Sequence, residues 1–199
     1  MGYFTTEEKR QFKTLGYVCK ENIIPEDIRS KASDVVWDII EADRNDPETW
    51  IEAGPKGNLP CSNHEDIGAT VHHTPVYQMA EELTGPGRLG PPGNPLCKMQ
   101  YPTGHDDWEP PHGHLDGLTD PDHSEAWTFS VGVTMNIADV APRSGGFTCW
   151  EGSHEKVAEH FRQHSLLTGY GINKEQSPPI EDRCERYEHA APAGSVVFW

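Results

Sequence analysis

Long apolar runs are missing from this 199-residue chain. Nothing approaches the ~20 consecutive apolar residues of a membrane-spanning helix, and no apolar signal run opens the chain. The expectation is a soluble, cytoplasmic protein with no membrane partner. Cations are also scarce: Lys and Arg number 16 against 32 Asp and Glu, a net charge of -16. Neutralising phosphates requires clustered Lys and Arg, so this balance argues against nucleic acid or an anionic bilayer as partner. The same acidity would suit a high-salt cytoplasm. Cysteine is sparse and unpatterned. Cys19, Cys61, Cys97, Cys149 and Cys184 are odd in number and none has Cys-x-x-Cys spacing. That excludes the usual structural zinc signatures and gives no support to a disulfide framework, so all five are read as reduced thiols.

Turn-forming residues are plentiful. With 19 Gly, 17 Pro and only 35% hydrophobic residues, and a mean hydropathy of -0.69, the composition suits a loop-rich β domain better than a helical bundle. The length fits one domain with a sizeable core. No internal repeat or low-complexity tract is visible.

The helical signals come first. Thr5-Thr-Glu-Glu8 is a capping box, with Phe12 and Leu15 on one face and Gly16 as a stop. Tyr17-Val-Cys19 reads as a brief strand. Pro25 opens a helix over about 25–43, with Ile28, Ala32, Val35, Val36, Ile39 and Ile40 at helical spacing. Residues 44–73 show no sustained period and read as a long loop of the kind that borders active sites. Thr74-Pro75 begins a further helix to about Leu83, ended by Gly85, and turn chemistry continues to Pro95. From Leu96 the pattern changes to strands. These are Leu96–Tyr101, a period-two run from Ala126 to Ile137, Phe147–Trp150 after Gly145-Gly146, and Ser195–Trp199; His154–Gln163 reads as a helix between the last two. Residues 1–95 thus form a helical part and 96–199 a β part of a single α+β domain.

Chemistry concentrates in Trp108-Glu-Pro-Pro-His-Gly-His-Leu-Asp-Gly117. In His114-Leu115-Asp116 the two polar residues are two apart, so on an extended backbone they project to the same side. That is how two legs of a 2-His-1-carboxylate triad are held on non-haem Fe(II), with positions left open. Such triplets also occur in solvated loops. His112-Gly-His114 makes a His-x-His, as in cupins and amidohydrolase barrels. A (β/α)₈ barrel needs about 250 residues and would carry the pair early, whereas a cupin-like site stays open because Pro192-Ala-Gly194 before a strand fits it too. His105 reads as a polar-loop residue at the mouth of the site.

The His-x-Asp segment, the Trp-bearing alternating strand, Gly145-Gly146, Phe147-Thr-Cys-Trp150 and Gly152-Ser153-His154 together resemble the phytanoyl-CoA dioxygenase family of Fe(II)/2-oxoglutarate oxygenases. The opening Phe12…Gly16-Tyr17-Val18…Ile24-Pro25 is similar as well, so the likeness covers most of the chain. The resemblance implies a double-stranded β-helix, a cupin-like jelly roll with N-terminal helices packed on one sheet. It implies His114 and Asp116 as iron ligands, and Gln100 and Trp127 on strands lining a 2-oxoglutarate pocket; plain core packing is the alternative role for Trp127. Gly152-Ser153-His154 matches a turn that supplies no ligand. The implied reaction is hydroxylation of a small organic substrate with O₂. Related halogenases lack the carboxylate, so Asp116 favours hydroxylation. In that family the third ligand and the carboxylate-binding Arg follow a strand like Gly194–Trp199, so both are expected to be absent from these 199 residues, as in a truncated or degenerate member. His154, His160 and His164 lie in or beside a helix, and His189 precedes the strand at its wrong end. Two other readings remain: a non-catalytic or truncated β-helix domain, and a cupin-type metalloenzyme without 2-oxoglutarate. Loops 44–73 and 103–125 are expected to shape the pocket. Substrate and oligomeric state are not legible.

Overall fold

The capping box closes on itself. Thr5 Oγ1 accepts from the Glu8 N–H at 3.2 Å while the Glu8 carboxylate accepts from the Thr5 N–H at 2.7 Å. These bonds satisfy two donors that a helix start otherwise leaves open. Helix α1 (Thr6–Leu15) follows and stops at Gly16, whose φ of 85° is the left-handed geometry of a helix end. The computed structural model describes residues 2–105, 108–116, 130–163, 180 and 183–199. Its remaining elements are β1 (Val18–Lys20), α2 (Glu26–Trp37), β2 (Gly57–Asn58), α3 (Glu65–His72), α4 (Val76–Thr84), β3 (Lys98–Met99), β4 (Val133–Met135), β5 (Thr148–Trp150), α5 (Ser153–Phe161), β6 (Arg186–Glu188) and β7 (Val196–Phe198).

Helix α2 is shorter than its apolar stripe predicts, ending at Trp37. Past it the chain tightens, Glu41 donates to the Gly54 carbonyl at 3.0 Å, and Ile40 is buried by the turn rather than by further helix. Trp37 meets Trp50 of a 3₁₀ turn over Pro47–Trp50, ring centroids 5.5 Å apart. The span 44–73 is therefore not one long loop. Helix α3 lies within it, begun by His64, whose Nδ1 accepts from the Asp66 N–H at 3.3 Å. Ile67 of α3 is buried with Ala32, Val36 and Ile40 of the α2 segment, and Cys97, Met99 and Ile137 cover that cluster from the strand side.

Strand β7 is the centre of the larger sheet, ordered β1-β7-β4 and antiparallel throughout. Phe198 pairs with Val18 on one side and Val133 on the other. Val196, Val197 and Phe198 are all fully buried, and each contributes about 2 kcal/mol through removal of its side chain from water. Alternation sends Val196 and Phe198 to one face, against Val76, Met79 and Ala80 of α4 and against Phe4. Phe4 meets Phe198 edge-on at 5.4 Å.

The opposite face meets a second sheet, the β5-β6 pair. Tyr17 stacks on Tyr187 at 4.1 Å, the Cys19 thiol lies 3.1 Å from the Tyr187 hydroxyl, and Phe147 stacks on Trp199 at 5.1 Å. Trp199 lies so close to Gly132 that a Cβ there would stand 2.5 Å from the indole. Strand β6 carries no apolar alternation and is absent from the sequence expectation. Of the expected strand Ala126–Ile137, residues 126–129 lie outside the described residues and 133–135 form β4. Among the described residues the sheets are small, antiparallel and not closed into a barrel. No helix among them is long and apolar enough to cross a membrane.

Candidate functional site

His114 and Asp116 lie on irregular chain between β3 and β4. The two-residue spacing does what the alternation rule requires: His114 Nε2 and Asp116 Oδ1 stand 3.3 Å apart, and their side chains are 68% and 44% exposed. Two atoms each ~2.1 Å from a metal and at right angles to it are about 3.0 Å apart. The pair therefore fits two adjacent positions of an octahedral ion with little rearrangement. A third ligand is not beside them: among the described residues no three His, Cys, Asp or Glu side chains come together as a metal cage.

Gln100, just past β3, is exposed and touches the Gly145-Gly146 turn. A Cβ on Gly145 would stand 2.8 Å from Gln100 Cβ, and Gly145 has φ 86°, so the position needs glycine on both counts. Trp127 and His164 lie outside the described residues, as does much of the 103–125 loop. His105 and His112 are exposed on the loop. His154 holds two elements together, its Nε2 3.0 Å from the Lys13 carbonyl in the last turn of α1, with its ring against Gly16. His160 is half-buried on α5.

His189 is different. It is 2% exposed, its Nδ1 lies 3.1 Å from the Tyr187 hydroxyl and 3.5 Å from the Cys19 thiol, and its Nε2 has no partner among the described residues. It belongs to a polar seam between the two sheets. Burial pushes the Cys19 thiol up and the Cys149 thiol up to about 12. Burial also raises both Tyr17, which donates to Glu151 Oε1 at 2.7 Å, and Tyr187. The same desolvation lowers His189, opposed by the charge of Glu21. Burial thus favours the neutral forms of Cys19, Cys149, Tyr17, Tyr187 and His189.

Sequence reasoning also missed Trp108. Its ring carries the guanidinium of Arg143 at 5.4 Å and that of Arg186 at 5.1 Å. The available signal was Arg143 itself, the only Lys or Arg between Lys98 and Lys156. A surface groove of about 370 Å³ beside α2, lined by Val35, Ile39, Cys61 and His64, involves none of these residues. No protein-family model matches the chain, and no curated protein matches it.

Proposed function

We propose that this chain is an Fe(II)- and 2-oxoglutarate-dependent dioxygenase that hydroxylates a small organic substrate, built on a double-stranded β-helix of the phytanoyl-CoA dioxygenase type. The observation that carries the reading is the His114–Asp116 pair, its two donor atoms 3.3 Å apart and open to solvent. Strand pairing supports it. β4 pairs with β7 in one sheet while β5 and β6, which lie between them in sequence, pair in the facing sheet. Nested pairs falling in alternate sheets are what a folded-over jelly-roll ladder produces.

On this reading His114 offers a neutral imidazole nitrogen and Asp116 a carboxylate oxygen. Bound iron would supply O₂ activation coupled to decarboxylation of 2-oxoglutarate. The chain's own residues bind and orient: His114 and Asp116 hold their donor atoms side by side, and Gln100 is placed by Gly145 at the end of β3. Asp116 argues for hydroxylation rather than halogenation, since a halide needs the position the carboxylate takes.

The test is turnover of 2-oxoglutarate by the full chain supplied with Fe(II), against Asp116→Ala. The variant should lose more than about a hundredfold of the activity, since even partners of metal ligands are worth 10–100-fold. Activity unchanged in Asp116→Ala would remove the ligand assignment. A second reading is a non-catalytic β-helix domain. It predicts a folded chain that binds iron weakly and consumes no 2-oxoglutarate. Activity that persists when 2-oxoglutarate is omitted would point instead to a cupin-type metalloenzyme.

A further inference from the structure

Arg143 and Arg186 come from different parts of the chain, the turn before β5 and the start of β6, yet both guanidinium groups sit on the ring of Trp108. The two charges can be no further apart than the sum of their distances to that ring. Two guanidinium groups within that distance attract an anion more strongly than either does alone. Among the described residues neither guanidinium forms an ion pair, whereas Arg10, Arg29, Arg44 and Arg162 each meet a carboxylate. This is unexpected in a chain with twice as many acidic as basic residues.

The placement is also built. Arg143 is held at φ 63°, a left-handed conformation that side chains rarely adopt, and its backbone N–H donates to Glu188 Oε1 at 2.7 Å. Glu188 lies on β6 with Arg186, so one strand fixes the backbone of the first arginine and carries the second. Stacking on an aromatic face holds a guanidinium plane in position while leaving its edge N–H groups unspent. Those edges match an oxyanion, and Arg binds carboxylate and phosphate through paired donors.

We propose that Arg143 and Arg186, presented on Trp108, form a binding site for a small oxyanion, the carboxylate or phosphate group of a small-molecule ligand. Trp108 precedes His114 by six residues, a span of at most about 20 Å of extended chain. The proposal itself does not rest on the metal reading, because it concerns anion binding alone.

The experiment is an amide and indole N–H NMR titration of the full-length chain with inorganic phosphate and, separately, with malonate. Ionic strength is held constant with NaCl, and the Trp108 indole signal is identified by Trp108→Phe. The expected result is a saturable shift at Trp108 with at least one anion. Phosphate alone would assign a tetrahedral ligand group, malonate alone a planar carboxylate. Affinity should fall at least tenfold in the Arg143→Gln/Arg186→Gln double variant, whose exposed substitutions leave the circular dichroism spectrum unchanged. No saturable shift with either anion, the same shift with NaCl alone, or undiminished affinity in the double variant would overturn it.

Discussion

His189 is a titratable ring placed where water is excluded, between β1 and β6, with only one of its two nitrogens engaged among the described residues. Burial lowers its folded pKa below the ordinary value near 6.5, with Glu21 opposing. The unfolded chain therefore binds a proton that the folded chain refuses, and stability falls as pH drops through and below 6.5; above it both states are neutral and the contribution is complete. Urea unfolding followed from about pH 8 to about pH 5 should show this loss. His189→Asn should flatten the curve by up to one proton's share, at most ~1.4 kcal/mol per pH unit. A variant with the wild-type slope would mean that the ring is not kept neutral by burial. The sequence offered no sign of this role, because nothing local to Tyr187-Glu-His189 announces that it faces Cys19. His114 and Asp116 were legible for the converse reason: their contact depends only on a two-residue spacing along one stretch of backbone. Trp108, Arg143 and Arg186 meet only after three distant segments converge.

Elements with local determinants were readable, and those that depend on a neighbour were not. The Thr5–Glu8 box and Gly16 define α1 at both ends. Thr5→Ala should cost about 1 kcal/mol of stability, seen as a lower urea midpoint with an unchanged denaturant slope. A midpoint within a few tenths of wild type would show that the contacts of Glu8 with Lys20, at 2.6 Å, hold the turn without the cap. Helix α3 escaped notice because Gly68, Thr70 and Val71 are weak helix formers in a run of only eight residues. It stands because Ile67 fills the space against α2 and because Gly68 admits Asn94, whose Oδ1 would lie 3.0 Å from a Cβ. Helix α2 erred in the other direction. Its stripe continues to Ile40, but tertiary bonding to Gly54 ends the helix first. Strand β6 has one inward residue, Tyr187, between Arg186 and Glu188, too short a pattern to register as a strand.

For the molecule as a whole, the net charge of -16 acts against the compact state by self-repulsion. Ion pairs such as Lys9–Glu82 at 2.8 Å relieve it only locally. The thermal midpoint should therefore rise as NaCl is raised from about 0.05 M to about 0.5 M, where the screening length shrinks to a few ångströms. A falling midpoint would mean that attractive pairs outweigh the excess charge. Composition suggested a β domain, yet among the described residues helix outweighs strand, and how the strands divide between sheets needed the pairing itself. That pairing has a consequence for synthesis. Among the described residues β7 is the only strand paired with β1, and it also pairs with β4. Since β7 is translated long after β1, Val18 and its neighbours leave the ribosome with no strand to join and wait through most of the chain's production. Apolar edges left unpaired for so long invite association with other chains. The N-terminal helices α1 and α4, complete early and rich in local contacts, are the parts able to shelter that strand until its partner arrives.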